Sequence, residues 1–209
     1  MKHNLHNPIK GLYAITPDTL DTADLLVKTR QVLQGGARVL QYRNKLADAD
    51  LQLIHALALR DLTREFNCIF IINDNAVLAQ QVDADGVHLG GDDGSVAAAR
   101  AIVGADKLIG VSCYNRLSLA QQAVVDGADY VAFGSFFASS VKPNAVVASL
   151  ELLQQARREI HLPIVTIGGI TLDNAPSLFA AGADAVAVIS AVFAVPDCQA
   201  AARQFTALA

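Results

Sequence analysis

VDGADYVAFG, residues 125–134, is the stretch that decides the fold. Gly127 stands where a helix would end, and glycine at that place takes the left-handed conformation that closes a helix. The apolar run after it, Tyr130 to Phe133, is short and has no polar alternation, as in strands buried on both faces. The same order of helix end, Gly or Asp, and then strand recurs in QGGARVLQYR (34–43), VDADGVHLG (82–90) and AAGADAVAVIS (180–190). Such units, separated by helical stretches, imply parallel strands joined by crossover helices.

Working outward from these repeats, eight strands are expected, over roughly 11–16, 38–43, 68–73, 86–90, 108–113, 130–135, 163–168 and 185–190. Amphipathic or Ala/Leu-rich stretches lie between them, as at 49–66, 117–126 and 150–160, and Thr171 or Asp173 is placed to cap a helix after the seventh strand. Eight such units in 209 residues predict a lean α/β chain, a single (β/α)₈ TIM barrel spanning 1–209, with 1–10 as an N-terminal extension. The competing doubly wound sheet would carry a glycine-rich fingerprint after its first strand. Here that place reads Thr16-Pro17-Asp18.

Composition narrows the function. The chain is 53% hydrophobic and 17% charged, a globular balance without a disordered block. A net charge of −4 gives no overall basic footprint for nucleic acid, so any anion site must be local. Cys68, Cys113 and Cys198 are far apart and lack metal-site spacing, which predicts buried free thiols in a reducing cytoplasm. The start, MKHNLHNPIK, has no apolar signal core, and the longest apolar run is broken at Ser190, so neither a signal peptide nor a membrane span is expected. The apolar content leaves room for a homo-oligomer.

In barrels of this kind the active site lies at the C-terminal ends of the strands. Those ends are polar here. In QYRNK (41–45), strand periodicity puts Gln41, Arg43 and Lys45 on one face and Tyr42 on the helix side. Strand three ends in Asn73-Asp74. Strand four carries His88, with Asp92 and Asp93 beyond it. Strand five ends at Ser112, and strand six leads into a loop with Ser139, Ser140 and Lys142. Asp74 and Asp93 follow neighbouring strands, so either a cation such as Mg²⁺ holds them together or one of them caps a turn, with Asp92 as an alternative ligand. Arg43, Lys45 and Lys142 call for an anion, because a buried unpaired charge costs several kcal/mol. Gly168-Gly169 and Ser190, after strands seven and eight, occupy the common phosphate site of barrels. Two anion sites side by side suggest a transfer between two substrates.

At these residues the chain resembles the thiamine phosphate synthase family, from about Leu12 to Phe205. The matching motifs are Gln41-x-Arg43-x-Lys45, Asn73-Asp74, His88-x-Gly90 with Asp93, Val111-Ser112, Gly168-Gly169-Ile170 and Ile189-Ser190. The resemblance implies a cytoplasmic transferase that joins a pyrimidinylmethyl diphosphate to a thiazole phosphate and releases pyrophosphate. It implies that Asp74 and Asp93 hold Mg²⁺. It implies that the pyrimidine diphosphate is bound by Gln41, Tyr42, Arg43, Asn44, Lys45, Asn73, Ser112 and Lys142. Of these, Arg43, Lys45, Ser112 and Lys142 would be catalytic. Ser139, Ser140, Val141, Gly169, Ile189 and Ser190 would hold the thiazole phosphate. Where the family has Pro-Thr-x-Thr-Lys, this chain has Ala138-Ser139-Ser140-Val141-Lys142, so Val141 offers only its backbone N–H. A thiazole tautomerase of the same fold, or a non-catalytic thiamine-phosphate-binding protein, would not need Arg43, Lys45, Asp74, Asp93 and Lys142 together.

Overall fold

The repeats form the helix-to-strand turns of a closed barrel. The computed structural model describes residues 9–91, 93–137 and 147–209. The strands are β1 (Gly11–Ile15), β2 (Val39–Tyr42), β3 (Ile69–Asn73), β4 (Gly86–Leu89), β5 (Leu108–Tyr114), β6 (Tyr130–Gly134), β7 (Ile164–Ile167) and β8 (Ala185–Val188). The helices α1 (Thr22–Gln34), α2 (Ala49–Glu65), α3 (Ala76–Gln81), α4 (Val96–Val103), α5 (Leu117–Val125), α6 (Leu150–Glu159) and α7 (Ala175–Ala180) lie between them. Two more, α8 (Ser190–Phe193) and α9 (Cys198–Thr206), follow β8. All the strands pair in parallel and in chain order, and β8 closes on β1.

Within the repeats, the position that must leave the helix has φ of 98° at Gly36, 51° at Asp83, 85° at Gly127 and 110° at Gly182. Glycine enters this left-handed region without strain, and Asp tolerates it better than most side chains do. Two residues on, the repeat places Asp85, Asp129 and Asp184 at the start of the strand. Each ties a preceding helix to the sheet: Arg60 of α2 to Asp85 at 2.8 Å, Arg100 of α4 to Asp129 at 2.5 Å, and Arg157 of α6 to Asp184 at 3.0 Å. Each carboxylate also accepts a strand N–H, from Phe70, Ile109 and Ile164 respectively. Replacing Asp85 by Ala leaves the Phe70 N–H without its acceptor and the largely buried Arg60 guanidinium with only the longer contact to Asp83, at 3.9 Å. The expected loss is about 1–2 kcal/mol after allowing for partial exposure, a fall in Tm of roughly 2–8 °C for a chain of this size. An unchanged melting curve would sink this account of the repeat.

The barrel interior is filled by Tyr13, Ile15, Val39, Ile71, Tyr130, Ala132, Val165, Ala185 and Ala187. Ile9 belongs to the same cluster and is fully buried, so the expected N-terminal extension reaches into the core before residue 10. A larger cluster packs the outer face of the strands against the helices. The three cysteines are buried and free, as expected, and burial pushes the Cys68 and Cys113 thiols up to about 12.

Several boundaries differ from expectation for visible reasons. β2 stops at Tyr42 because the Arg43 N–H turns to the Thr16 hydroxyl, which in turn donates to the Arg43 carbonyl. β5 runs on to Tyr114 through a shift of register between Ser112 and Tyr114. α7 begins after Asn174, and neither Thr171 nor Asp173 caps it. The Asn174 side chain turns back instead: its Oδ1 accepts the Thr171 N–H and its Nδ2 donates to the Gly169 carbonyl. That bond braces the Gly168-Gly169 corner.

Candidate active site

The C-terminal ends of β2, β3 and β4 gather the charged groups. Arg43 is part-buried at the end of β2. Its Nη1 lies 3.1 Å from both carboxylate oxygens of Asp18, in the loop after β1. Part of the anion that Arg43 calls for is therefore supplied by the protein itself. Asp18 also accepts the Lys45 N–H at 2.7 Å, so one carboxylate fixes the turn that carries both cations. Sequence reasoning missed Asp18, although a carboxylate beyond β1 must stand beside β2 once the barrel order is known.

Two neighbours in this segment also hold the scaffold. Tyr42 is turned into the layer between barrel and helices, where its hydroxyl meets His55 Nδ1 at 3.2 Å. Asn44 is buried and spends its side chain on the loop: Nδ2 donates to the Thr19 carbonyl, and Oδ1 accepts the N–H groups of Leu46 and Ala47. The structure thus gives both side chains scaffold contacts. Tyr42, Arg43, Asn44, Lys45, Asn73 and Asp74 line a cleft of about 370 Å³ together with Gln52 and Leu78 from the helices behind.

Asp74 follows β3 with a φ of 63°, and its N–H donates to the His88 carbonyl, which locks it to β4. Asp93 returns over β4 and accepts the Gly90 N–H at 2.9 Å. Gly90 is bare for a reason: a Cβ there would meet Asp93 Oδ2 at 2.5 Å and Asp74 Oδ1 at 3.9 Å. The two carboxyl groups thus converge on the space over Gly90. Burial first, and then Asp93, push Asp74 up to about 6, while Lys45 pulls the other way. A pair this close is uncomfortable once both groups ionise. It supplies hard oxygen ligands of the kind that suits Mg²⁺, which takes one or two carboxylates and completes its shell with water and phosphate. No group of three or more His, Cys, Asp or Glu side chains gathers among the described residues, so such a cation would draw its other ligands from elsewhere.

Inside the mouth, Gln41 is buried and donates its amide to the Tyr13 hydroxyl at 2.9 Å. Ser112, at the β5 irregularity, lies 2.9 Å from Nε2 of the buried His88. Burial lowers the His88 imidazole to about 4, so it is neutral at physiological pH. The sequence left open whether His88 would orient Asp93, line the pocket or serve a structural role. Its ring contacts are with Ser112 and Tyr130. Tyr114 was also missed. Its hydroxyl accepts the Gly91 N–H at 3.1 Å and holds the loop before Asp93.

On the opposite side, Gly168 and Gly169 have φ of 104° and 61°. A Cβ on Gly168 would fall 1.9 Å from Ser135 Oγ, so only glycine fits. Ile189 is the N-cap of the short helix α8, whose first residue, Ser190, is exposed and which no side chain caps. Ser139, Ser140, Val141 and Lys142, and the alternative ligand Asp92, lie outside the described residues.

The chain matches the model of a family described as thiamine monophosphate synthase over residues 12–192. It is 57% identical over 204 residues to a thiamine-phosphate synthase of Methylobacillus flagellatus, with 98% of this chain and 97% of the relative covered. To a thiamine-phosphate synthase of an Azoarcus species it is 56% identical over 200 residues, covering 96% and 97%. Among solved structures it is similar to a thiamine phosphate pyrophosphorylase from Pyrococcus furiosus, with a TM-score of 0.87 and 37% identity, covering 98% of this chain and 97% of that one.

Proposed function

The chain belongs to the thiamine monophosphate synthase family, and we propose that its barrel mouth joins hydroxymethylpyrimidine diphosphate to hydroxyethylthiazole phosphate, or its carboxylated form, giving thiamine phosphate and pyrophosphate. It is a transferase of thiamine biosynthesis. The observation that carries the assignment of roles is the convergence of Asp74 and Asp93 over Gly90, next to the cleft lined by Arg43, Lys45 and Asn73. Two carboxylates beside two cations suit a metal-bound diphosphate.

The reaction asks for charge stabilisation more than for a base. The bond between the pyrimidinylmethyl carbon and the diphosphate oxygen breaks, and its electron pair leaves with pyrophosphate. The thiazole nitrogen already carries the lone pair that forms the new C–N bond. Arg43 and Lys45 lie where they can meet the negative charge that builds on the leaving group, and fixed donors in a water-poor site are worth most at that moment. Ser112 adds a neutral donor, and Asn73 lines the cleft. Asp74 and Asp93 would hold Mg²⁺, which when bound withdraws charge from the departing pyrophosphate. Gly169, Ile189 and Ser190 would receive the thiazole phosphate through close backbone approach. We extend this to Ser139, Ser140, Val141 and Lys142, and place Lys142 on the diphosphate, from the family motif alone. Gln41 would border the pyrimidine, with its amide nitrogen held by Tyr13. We place the enzyme in the cytoplasm; no described helix is long and apolar enough to cross a membrane.

A coupling assay with both substrates, with and without Mg²⁺, tests this reading. Equal amounts of thiamine phosphate and pyrophosphate, formed only with the metal, are expected. Isomerised thiazole without pyrophosphate release would overturn it. A second measurement follows from Asp74. With its carboxyl held up to about 6, a proton competes with the cation below that pH. Mg²⁺ affinity should rise about tenfold between pH 5 and pH 7.5, following the ionised fraction. Titration calorimetry giving equal affinities at both pH values would show that the metal does not use this pair.

A further inference from the structure

Beneath the mouth, five side chains from five strands join hands across the barrel. Gln41 Nε2 donates to the Tyr13 hydroxyl at 2.9 Å. The Tyr13 and Tyr130 hydroxyls are 2.9 Å apart, Tyr130 and His88 Nδ1 are 3.1 Å apart, and His88 Nε2 and Ser112 Oγ are 2.9 Å apart. The chain is built deliberately. Gly110 has no side chain because a Cβ there would fall 2.0 Å from the Tyr130 ring. The Tyr130 ring in turn stacks on His88, with centroids 5.5 Å apart. Both tyrosines are fully buried, and burial raises both well above the ordinary phenol, so each keeps its single hydrogen.

Counting hydrogens gives the chain a direction. Tyr13 accepts from Gln41, which leaves its own hydrogen for Tyr130. If Tyr130 donated to Tyr13 instead, the Tyr13 hydrogen would be buried without an acceptor, at a cost that folded proteins rarely bear. Tyr130, having accepted, donates to His88 Nδ1. A neutral ring that accepts at Nδ1 carries its hydrogen on Nε2, and that hydrogen goes to Ser112 Oγ. The Ser112 hydrogen is then the one left over. Had Gln41 turned its carbonyl to Tyr13, the same count would run backwards and the Ser112 hydrogen would be consumed by His88.

We infer that Tyr13, Tyr130 and His88 form a one-way hydrogen-bond relay that releases the Ser112 hydroxyl hydrogen toward the barrel mouth and fixes Ser112 as a donor to an anionic oxygen of the substrate. That the oxygen belongs to the diphosphate rests on the proposed function; the direction of the relay does not. Tyr13, Tyr130 and His88 are positioning residues. They contribute no proton to the reaction, and they remove the choice that a free serine hydroxyl would have between His88 and the ligand. A donor oriented beforehand costs no reorganisation when charge develops.

The direct test is the tautomer of His88, read by long-range ¹H–¹⁵N correlation on the ¹⁵N-labelled, ligand-free enzyme and assigned with a His88→Gln variant. The hydrogen is expected on Nε2. A ring protonated on Nδ1 would overturn the relay whatever the enzyme does. Tyr130→Phe keeps the ring and cuts the chain. It should give a mixture of tautomers and lower kcat by roughly tenfold, less than the loss of an oxyanion donor itself, with KM for the pyrimidine diphosphate within about twofold. Tyr13→Phe should shift the tautomer in the same sense, and it serves if Tyr130→Phe does not fold. A retained Nε2–H tautomer in both variants would overturn the proposal. So would full turnover by Ser112→Ala beside an intact wild-type tautomer, since the donor would then have no use. Failure of the proposed function itself would show separately, as absence of pyrophosphate release by the wild-type enzyme.

Discussion

Asp74→Asn is expected to lower kcat by about 10²-fold or more, to abolish most of the response to Mg²⁺, and to make the free enzyme more stable at neutral pH. The loss follows from removing a charge that holds a charge-stabilising group. The substitution is gentle in every other respect. Asp74 sits at a φ of 63°, a conformation Asn tolerates as well as Asp does, and its N–H bond to the His88 carbonyl does not involve the side chain. The gain in stability follows from linkage. The Asp74 carboxyl is raised from 3.8 to about 6 in the folded chain. Between those values the native state binds more protons than the unfolded chain, so stability falls as pH rises through that window and stays lower above it. Asn does not ionise and escapes this loss. Tm of the variant should therefore exceed that of the wild type at pH 7.5 without metal and match it near pH 4. Unchanged turnover with unchanged Mg²⁺ dependence would move the metal away from this residue. A variant that is inactive and also less stable at pH 7.5 would point to misfolding.

The sequence showed the barrel because its determinants are local. A left-handed residue at Gly36, Asp83, Gly127 or Gly182, followed by a short buried strand, is a pattern along the chain, and eight such strands leave few closures to choose from. The polar ends were legible for the same reason. Gln41, Arg43, Asn73, Asp74, His88 and Ser112 break apolar runs at places where a core strand should not break. Pairings made across the barrel were not legible. Asp18 meets Arg43 across 25 residues and Tyr13 meets Tyr130 across 117, and nothing near either residue announces its partner. The two tyrosines passed for core because their rings are core; only their hydroxyls, which must find partners when buried, belong to the site. Alternation along β2 correctly turned the Tyr42 hydroxyl toward the helices, where it meets His55, while the residue still lines the cleft. Asn44 matches the motif and lines the cleft, and its side-chain bonds to the loop could not be read from the sequence.

Arg43→Ala is expected to cost about 10²-fold in kcat/KM for the pyrimidine diphosphate and little in KM for the thiazole phosphate. Asp18 engages the guanidinium through Nη1 alone, and Nη2 and Nε have no partner among the described residues. The ion pair therefore aims the group without exhausting it. Charge-assisted donors of this planar kind match phosphate oxygens, and a lysine in the same place supplies a single compact charge on a flexible stem, so Arg43→Lys should recover only part of the loss. Asp18→Asn separates aiming from charge. It retains an acceptor for the Lys45 N–H, so the turn survives, and it removes the anion that competes with the substrate for Arg43. Pyrophosphate should bind such a variant more tightly, while kcat falls because the guanidinium is no longer held in one orientation and product leaves more slowly. Binding of pyrophosphate with Mg²⁺, measured by calorimetry beside the coupling rate, distinguishes the cases. If Asp18→Asn weakens pyrophosphate binding, the carboxylate is needed to build the site and does not compete for it. If Arg43→Ala raises KM for both substrates equally, the two anion sites are not separate, and β2 serves the whole mouth of the barrel instead of its diphosphate side.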